Sequence, residues 1–225
     1  MHALSQPITV VLVPLLTLLF HLAQDWGIAV LLLTLFVRLL LFPFSLRVAR
    51  QQALQMKIQP ELVSLRERYK DKPTDLIMET KKIYEKYGVK PMAMFTIALL
   101  QMPIFMAMYS LFITHGATMS SFLIPWVLTF AESDPWHVLP IVAASLACLT
   151  SFLPLSPGVG TTISTQQRIL TALLMIPFFL LILWKAPVAL CLYWIAGSLF
   201  GLLERLFYRT VWGKSLLNRK ASAQV

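Results

Sequence analysis

Long apolar runs separated by short polar intervals set the pattern of this chain. Trp26–Leu46, Met92–Phe112, Val138–Leu155, Ile169–Trp184 and Val188–Tyr208 are the main runs. Each approaches the roughly 20 residues that cross a bilayer as a helix. They predict five membrane-spanning helices, because backbone in lipid must close its hydrogen bonds within each helix. Ile8–Ala23 is apolar but short and holds Pro14, and Thr17, His21 and Gln24 recur there at i, i+4 and i+7. That thin polar stripe predicts an amphipathic helix within residues 1–24, lying in the outer interface. A span at 8–23 is the alternative, and it would change only the side on which the N-terminus lies.

The polar intervals also carry a pattern. Residues 47–90 are charged, yet Leu54, Ile58, Leu62, Leu65 and Tyr69 make one apolar stripe, bent by Pro60, and Leu76, Thr80, Ile83 and Tyr87 make another. Lys70–Thr74 reads as the turn between them. Thr74 is expected to cap the second helix, with Asp75 in its first turn. Gly88 and Pro91 are expected to stop it. The prediction is a helical hairpin; the alternative is a solvated linker whose charges only fix topology. His115–His137 is a loop with two acids, Ser156–Gln167 a link rich in Pro, Gly and Thr, and Lys185 sits in a short turn before Pro187. The resulting division is 1–24 interfacial helix, 25–46 first span, 47–90 hairpin, 91–208 spans two to five and 209–225 basic tail.

Composition places the fold class as an all-α membrane protein. Charged residues are 13% of the chain, against about 25% in soluble domains, and the mean hydropathy is +0.73. The net charge of +9 raises nucleic acid as a partner, so its distribution matters. Arg38 lies inside a span. With five spans, every other Lys and Arg except Lys185 falls on one side. The positive-inside rule makes that side cytoplasmic, with the N-terminus outside and the C-terminus inside. Cys148 and Cys191 lie in apolar spans and read as small buried hydrophobes, not as a disulfide or metal framework. Met1–Pro7 has no Lys or Arg, unlike the start of an ordinary cleaved signal peptide.

Arg38 is the residue that asks for an explanation. It falls about 12 residues, or ~18 Å, past Trp26, where a charge costs from a few to more than about 10 kcal/mol. No Asp or Glu lies within a span; Asp25 and Glu204 sit at span ends. Two readings remain open. The side chain snorkels toward cytoplasmic headgroups, or it lines a water-filled cavity and meets the anionic group of a passing ligand. Thr34, one turn before Arg38, together with Gln101, Tyr193 and Trp194, are candidate lining residues. Each has a plainer explanation: Thr bonds its own helix, Gln ties two helices together, Tyr and Trp anchor at interfaces. Beside an unpaired arginine they point jointly to a polar pocket. Met92, Met94, Met102, Met106 and Met108 would give it an adaptable apolar wall, and Pro103, Pro154 and Pro177 would loosen the bundle.

Several stretches resemble the YidC/Oxa/Alb family of membrane protein insertases. Trp26-Gly27-Ile28-Ala29, Thr34-Leu35-Phe36-Val37-Arg38 and Leu41-Phe42-Pro43 look like its first core span. Gln59-Pro60-Glu61, Leu65-Arg66-Glu67-Arg68-Tyr69 and Ile83-Tyr84-Glu85-Lys86-Tyr87-Gly88-Val89-Lys90-Pro91 resemble its cytoplasmic hairpin. Leu100-Gln101-Met102-Pro103-Ile104-Phe105 and Leu192-Tyr193-Trp194 resemble its second and last core spans. The resemblance covers about residues 5–210. It implies five core helices around a hydrophilic groove open to cytoplasm and lipid, closed outside, with an outer interfacial helix before the first span. It implies Arg38 as the groove arginine, Thr34 beside it, and Gln101 and Trp194 in or near the groove. The large extracytoplasmic domain of some relatives is not expected here. Departures fall at Met92-Ala93-Met94-Phe95, Gly197-Ser198 and Thr150–Leu155, positions that bear on how polar the groove is.

The implied function is an insertase or chaperone without bond chemistry, cofactor or metal, moving client segments into lipid alone or with a Sec-type translocon. Nascent membrane proteins, the lipid bilayer and, through the basic tail, the ribosome are the expected partners, the protein acting as a monomer in a bacterial cytoplasmic membrane. A small-solute transporter would want repeated or broken helices and, if proton-coupled, an intramembrane acid. An intramembrane enzyme would want a motif such as His-Glu-x-x-His. The sequence shows no repeat, no such acid and no such motif. A helix-packing scaffold shares most of the features and is separated by loss of insertion when Arg38 is neutralised.

Overall fold

The computed structural model describes residues 2–90, 93–153 and 165–218, and every regular element among them is a helix. Residues 156–164 of the Ser156–Gln167 link fall outside the described residues, as do Pro91, Met92, Pro154 and the last basic residues, Arg219 and Lys220.

Helix α1 (His2–Ala23) ends where Gln24 adopts a left-handed φ of 56°. Asp25 then caps α2 (Trp26–Arg68), its carboxylate accepting the Ile28 N–H at 2.8 Å. The Phe20 and Trp26 rings stack across this turn at 4.0 Å. Helix α2 runs unbroken for 43 residues, through the expected end of the first span at Leu46 and on into the hairpin. The stretch from Leu46 to Lys57 is built of Ala, Arg, Gln, Leu, Met, Lys and one Val, mostly strong helix formers with no cap or glycine to stop them. Pro43 and Pro60 remain inside it; lacking an N–H, each leaves one carbonyl of the preceding turn without its helical donor.

Helix α3 (Pro73–Lys86) folds back along the end of α2. Its first residue is Pro73, whose fixed φ suits the first helical position. Thr74 therefore lies inside the helix, and Lys72 is the cap residue without a side-chain bond, a correction to the expected Thr74 cap. Gly88 ends the hairpin at φ 63°. Ile58 and Leu62 pack on Ile83 and Val89, with Leu54, Leu65 and Tyr84 around them. Gln51 then clasps the returning chain, its Oε1 accepting the Lys90 N–H at 2.8 Å. On the exposed face Glu79 holds Lys82 at 2.5 Å, and that hydrogen bond raises the lysine pKa.

The remaining helices are α4 (Ala93–His115), α5 (Val138–Phe152), α6 (Thr165–Leu183), α7 (Val188–Arg209) and the short α8 (Val211–Asn218). Among the described residues, Trp26–Arg68 and Val188–Arg209 are long and apolar enough to cross a membrane, while Ile8–Ala23 and Val138–Thr150 are shorter apolar helices. The main apolar core joins Leu16 of α1, Val30 and Leu33 of α2, Met108, Leu111 and Phe112 of α4, and Val188 and Leu190 of α7. All of these lie in the halves of their helices remote from the hairpin.

The loop between α4 and α5 closes that end. A 3-10 turn at Gly116–Thr118 leads into it. Phe130, fully buried, donates its N–H to the carbonyls of Gly116 and Met119. The Val188 N–H reaches the Glu132 carbonyl at 2.8 Å, tying the loop to the start of α7. Two buried carboxylates organise the same region. Asp25 also accepts from Ser121 Oγ and the Phe122 N–H. Asp134 accepts from Trp126 Nε1 and the backbone N–H groups of Trp136 and Leu139. Satisfied in this way, a buried carboxylate fixes a loop instead of destabilising it.

Candidate functional site

Helices α2 and α7 run parallel in a fixed register. Arg38 lies against Gly197, Ser45 bonds Glu204, which is 159 positions further on, and Ala49 packs on Tyr208. The offset is the same in all three pairs. Along α7, Tyr193, Gly197, Gly201, Glu204 and Tyr208 recur at three- and four-residue spacing, so they share one face. That face looks onto a cavity of about 430 Å³, walled also by α2, α4, α5 and α6. Such a space holds on the order of ten waters. From Arg38, Tyr193 and Trp194 the cavity extends toward the hairpin side, to Gln52 and Tyr208; the apolar core and the structured loop lie at the other end.

Arg38, Gln101, Tyr193 and Trp194 all line this cavity. The Arg38 guanidinium rests on Gly197, so close that an added Cβ would meet Nη2 at 2.7 Å and Nε at 3.3 Å. It makes no hydrogen bond or ion pair among the described residues. Gln101 of α4 donates its Nε2 hydrogen bond to the Tyr193 hydroxyl, joining α4 to α7 beside the arginine. Trp194 sits edge-on between Phe105 of α4 and Phe179 of α6, with centroids 5.7 and 5.3 Å away. It forms an apolar shoulder to the polar space.

Thr34 is not brought to the cavity. It is 0% exposed, and its hydroxyl donates to the Val30 carbonyl at 2.7 Å within the same helix. A Thr hydroxyl has this local acceptor in any helix, which is why spacing alone did not separate the two outcomes.

The structure adds a group that sequence reasoning set aside as a span-end residue. Glu204 lines the same cavity as Arg38. Its Oε1 accepts both the Ser45 hydroxyl and the Tyr208 hydroxyl, the latter at 2.7 Å. Arg205, the next residue, also lines the space and donates to the Leu153 carbonyl at the end of α5. The seven-residue spacing of Arg38 from Ser45 was a readable signal, since two turns of helix return nearly to the same face. What spacing could not supply was the partner helix. Behind this wall α8 is held by Arg50, whose Nε and Nη2 donate to the Leu216 carbonyl at 3.0 and 2.8 Å.

A sequence profile of the 60Kd inner membrane protein family matches residues 18–214. Three similar proteins are named membrane protein insertases. The chain is 34% identical over 199 residues to the membrane protein insertase YidC 1 of Bacillus anthracis, covering 83% of this chain and 73% of that protein. It is 32% identical over 189 residues to the membrane protein insertase YidC of Aquifex aeolicus, covering 83% of this chain and 36% of the other. Against the protein of that name from Actinobacillus pleuropneumoniae it is 29% identical over 207 residues, 92% of this chain and 37% of the other. The chain thus spans little more than a third of the length of some of these relatives and nearly three quarters of others.

Proposed function

Because the chain belongs to the family of the 60Kd inner membrane protein, we propose that it is a membrane protein insertase of the bacterial inner membrane. One observation carries the mechanism: an arginine without an ion-pair partner among the described residues lines a cavity of about 430 Å³ whose far end is packed with apolar side chains. A guanidinium in lipid costs from a few to more than about 10 kcal/mol unless water or an anion relieves it. A hydrated groove open on the hairpin side relieves it and shortens the apolar path for a client's polar tail. Arg38 offers transient attraction to an acidic group on that tail. The client's apolar helix then leaves past Trp194 and Phe105 into lipid, favoured by about 25 cal/mol for each Å² removed from water.

In this reading α2, α4, α5, α6 and α7 are five spans. The parallel run of α2 and α7 supports that reading, since three crossings between them return the chain to its starting direction. The hairpin and C-terminus are then cytoplasmic and the N-terminus outside. Helix α1 lies in the outer interface, where its exposed Thr17, His21 and Gln24 meet headgroups. The hairpin receives the client, the chain works as a monomer, and Sec translocon and ribosome are partners. Gln101 and Tyr193 hold the two helices that flank Arg38, and the apolar shoulder is Trp194.

The test is reconstitution in liposomes with a small single-span client bearing an acidic N-tail. Wild type is compared with Arg38→Ala and Arg38→Lys. Insertion by wild type and Lys but not by Ala supports the groove charge. Equal insertion by all three keeps the insertase and removes Arg38 from its mechanism. No insertion by folded wild type overturns the activity in favour of a packing scaffold.

A further inference from the structure

Of the charged residues that line the cavity, Arg38 and Glu204 are opposite in sign and do not pair. Arg38 and Glu204 both line it, yet no ion pair joins them among the described residues. The register explains the gap. Arg38 lies against Gly197, and Glu204 is seven residues further along α7, about 10 Å at 1.5 Å per residue. Glu204 is the group nearer the hairpin end. Two neutral hydroxyls, from Ser45 and Tyr208, fix its Oε1, and neither bond uses Oε2. Its cationic neighbour Arg205 lines the same cavity and feels the carboxylate electrostatically, but its hydrogen bond goes to the Leu153 carbonyl. A half-buried carboxylate held this firmly, with its Oε2 outside both bonds, is preorganised to take a cation.

We propose that Glu204 is a second recognition point of the cavity, one that binds the ammonium or guanidinium group following a client's apolar segment on its cytoplasmic side. This rests on the insertase reading above. A client that enters acidic tail first presents a negative group to Arg38 and then, after its apolar stretch, the Lys or Arg that membrane segments carry on their cytoplasmic flank. The two sites are about 10 Å apart, less than the ~30 Å of an apolar segment, so the contacts are made in turn: Arg38 takes the tail first, and Glu204 takes the flank once the segment has moved into lipid. A reversed client would present a cation to Arg38 and an anion to Glu204, and both contacts would repel. The pair therefore reads orientation.

The experiment uses the full chain in liposomes and two clients with the same acidic N-tail and apolar segment. One carries Lys-Lys after the segment and the other Gln-Gln. Each is inserted by wild type and by Glu204→Gln, which keeps a carbonyl oxygen for the Ser45 and Tyr208 hydroxyls and removes the charge. The expected result is that the ratio of Lys-flanked to Gln-flanked insertion falls about tenfold on Glu204→Gln, the scale of one charge-assisted contact. An unchanged ratio overturns the proposal, whether both rates stay level or fall together; a shared fall would mean that Glu204 only ties α2 to α7. If wild type inserts neither client, the insertase reading itself fails.

Discussion

Gly197→Ala separates the duty of the cavity from the stability of the helix that lines it. The new methyl would stand 2.7 Å from Arg38 Nη2, 3.3 Å from Nε and 3.4 Å from Cζ. Ordinary contact begins near 3.5 Å, so the guanidinium must retreat by about 0.8 Å. It can do so, because it is the far end of a flexible side chain. The helix itself gains, since Ala is favoured over Gly in a helix interior by about 1 kcal/mol. Stability and activity should then move in opposite directions. Thermal unfolding in detergent should shift upward or stay level. Insertion of an acidic-tailed client should fall about three- to tenfold, the loss expected when a contact worth up to ~1.4 kcal/mol is misaligned. A client with a neutral tail should lose less than the acidic one. If the acidic client inserts at the wild-type rate while the unfolding temperature rises, the seat that Gly197 provides for Arg38 has no role in insertion.

Three other outcomes follow from the packing. Asp25→Ala removes the acceptor for Ile28 N–H, Ser121 Oγ and Phe122 N–H and should lower stability by about 2–4 kcal/mol, read by denaturant unfolding; an unchanged midpoint would show that the loop closes without it. Tyr193→Phe leaves Gln101 Nε2 without the hydroxyl it bonds, so a loss of about 1 kcal/mol is expected in the same assay, and no loss would mean the amide finds another partner. Ile58→Ala empties the centre of the hairpin cluster. Hydrogen exchange of α3 should quicken by a factor set by about 2–4 kcal/mol, while α7 amides stay protected; joint quickening would show that hairpin and bundle unfold as one unit.

Much of this architecture could be read from residue order, and the parts that could not share a cause. The hairpin was visible because Leu54, Ile58, Leu62 and Ile83 follow helical spacing and do bury together. The stop at Gly88 was visible because its left-handed φ favours glycine. Thr74 was misplaced because Pro73 competes for the first turn, and a proline at that position outranks a hydroxyl one residue later. The join of the first span to the hairpin as one helix went unseen because charge changes at Arg47 while helix propensity does not. Of the cavity residues, Arg38, Gln101, Tyr193 and Trp194 come together and Thr34 turns to its own backbone. Glu204 was hidden by its position near the end of α7. Only the pairing of α2 with α7 puts it beside Ser45, and no local pattern encodes that pairing.

The unbroken helix from Trp26 to Arg68 makes the hairpin a lever. One end is held by the Asp25 cap and the apolar core, and the middle by the Ser45, Ala49 and Arg50 contacts to α7 and α8; the rest extends about 27 Å beyond Arg50. Pro43 leaves a carbonyl without its helical donor on the turn just before it, as Pro60 does further on, and the turn weakened by Pro43 is the one that lies between Arg38 and Ser45. A bend of about 10° there would swing the hairpin tip by about 6 Å. The same bend would turn Ser45 relative to Arg38, and with it the α2 contact to Glu204. A load on the tip thus reaches, through the contacts to α7 and α8, the segment of α2 that separates the two charges.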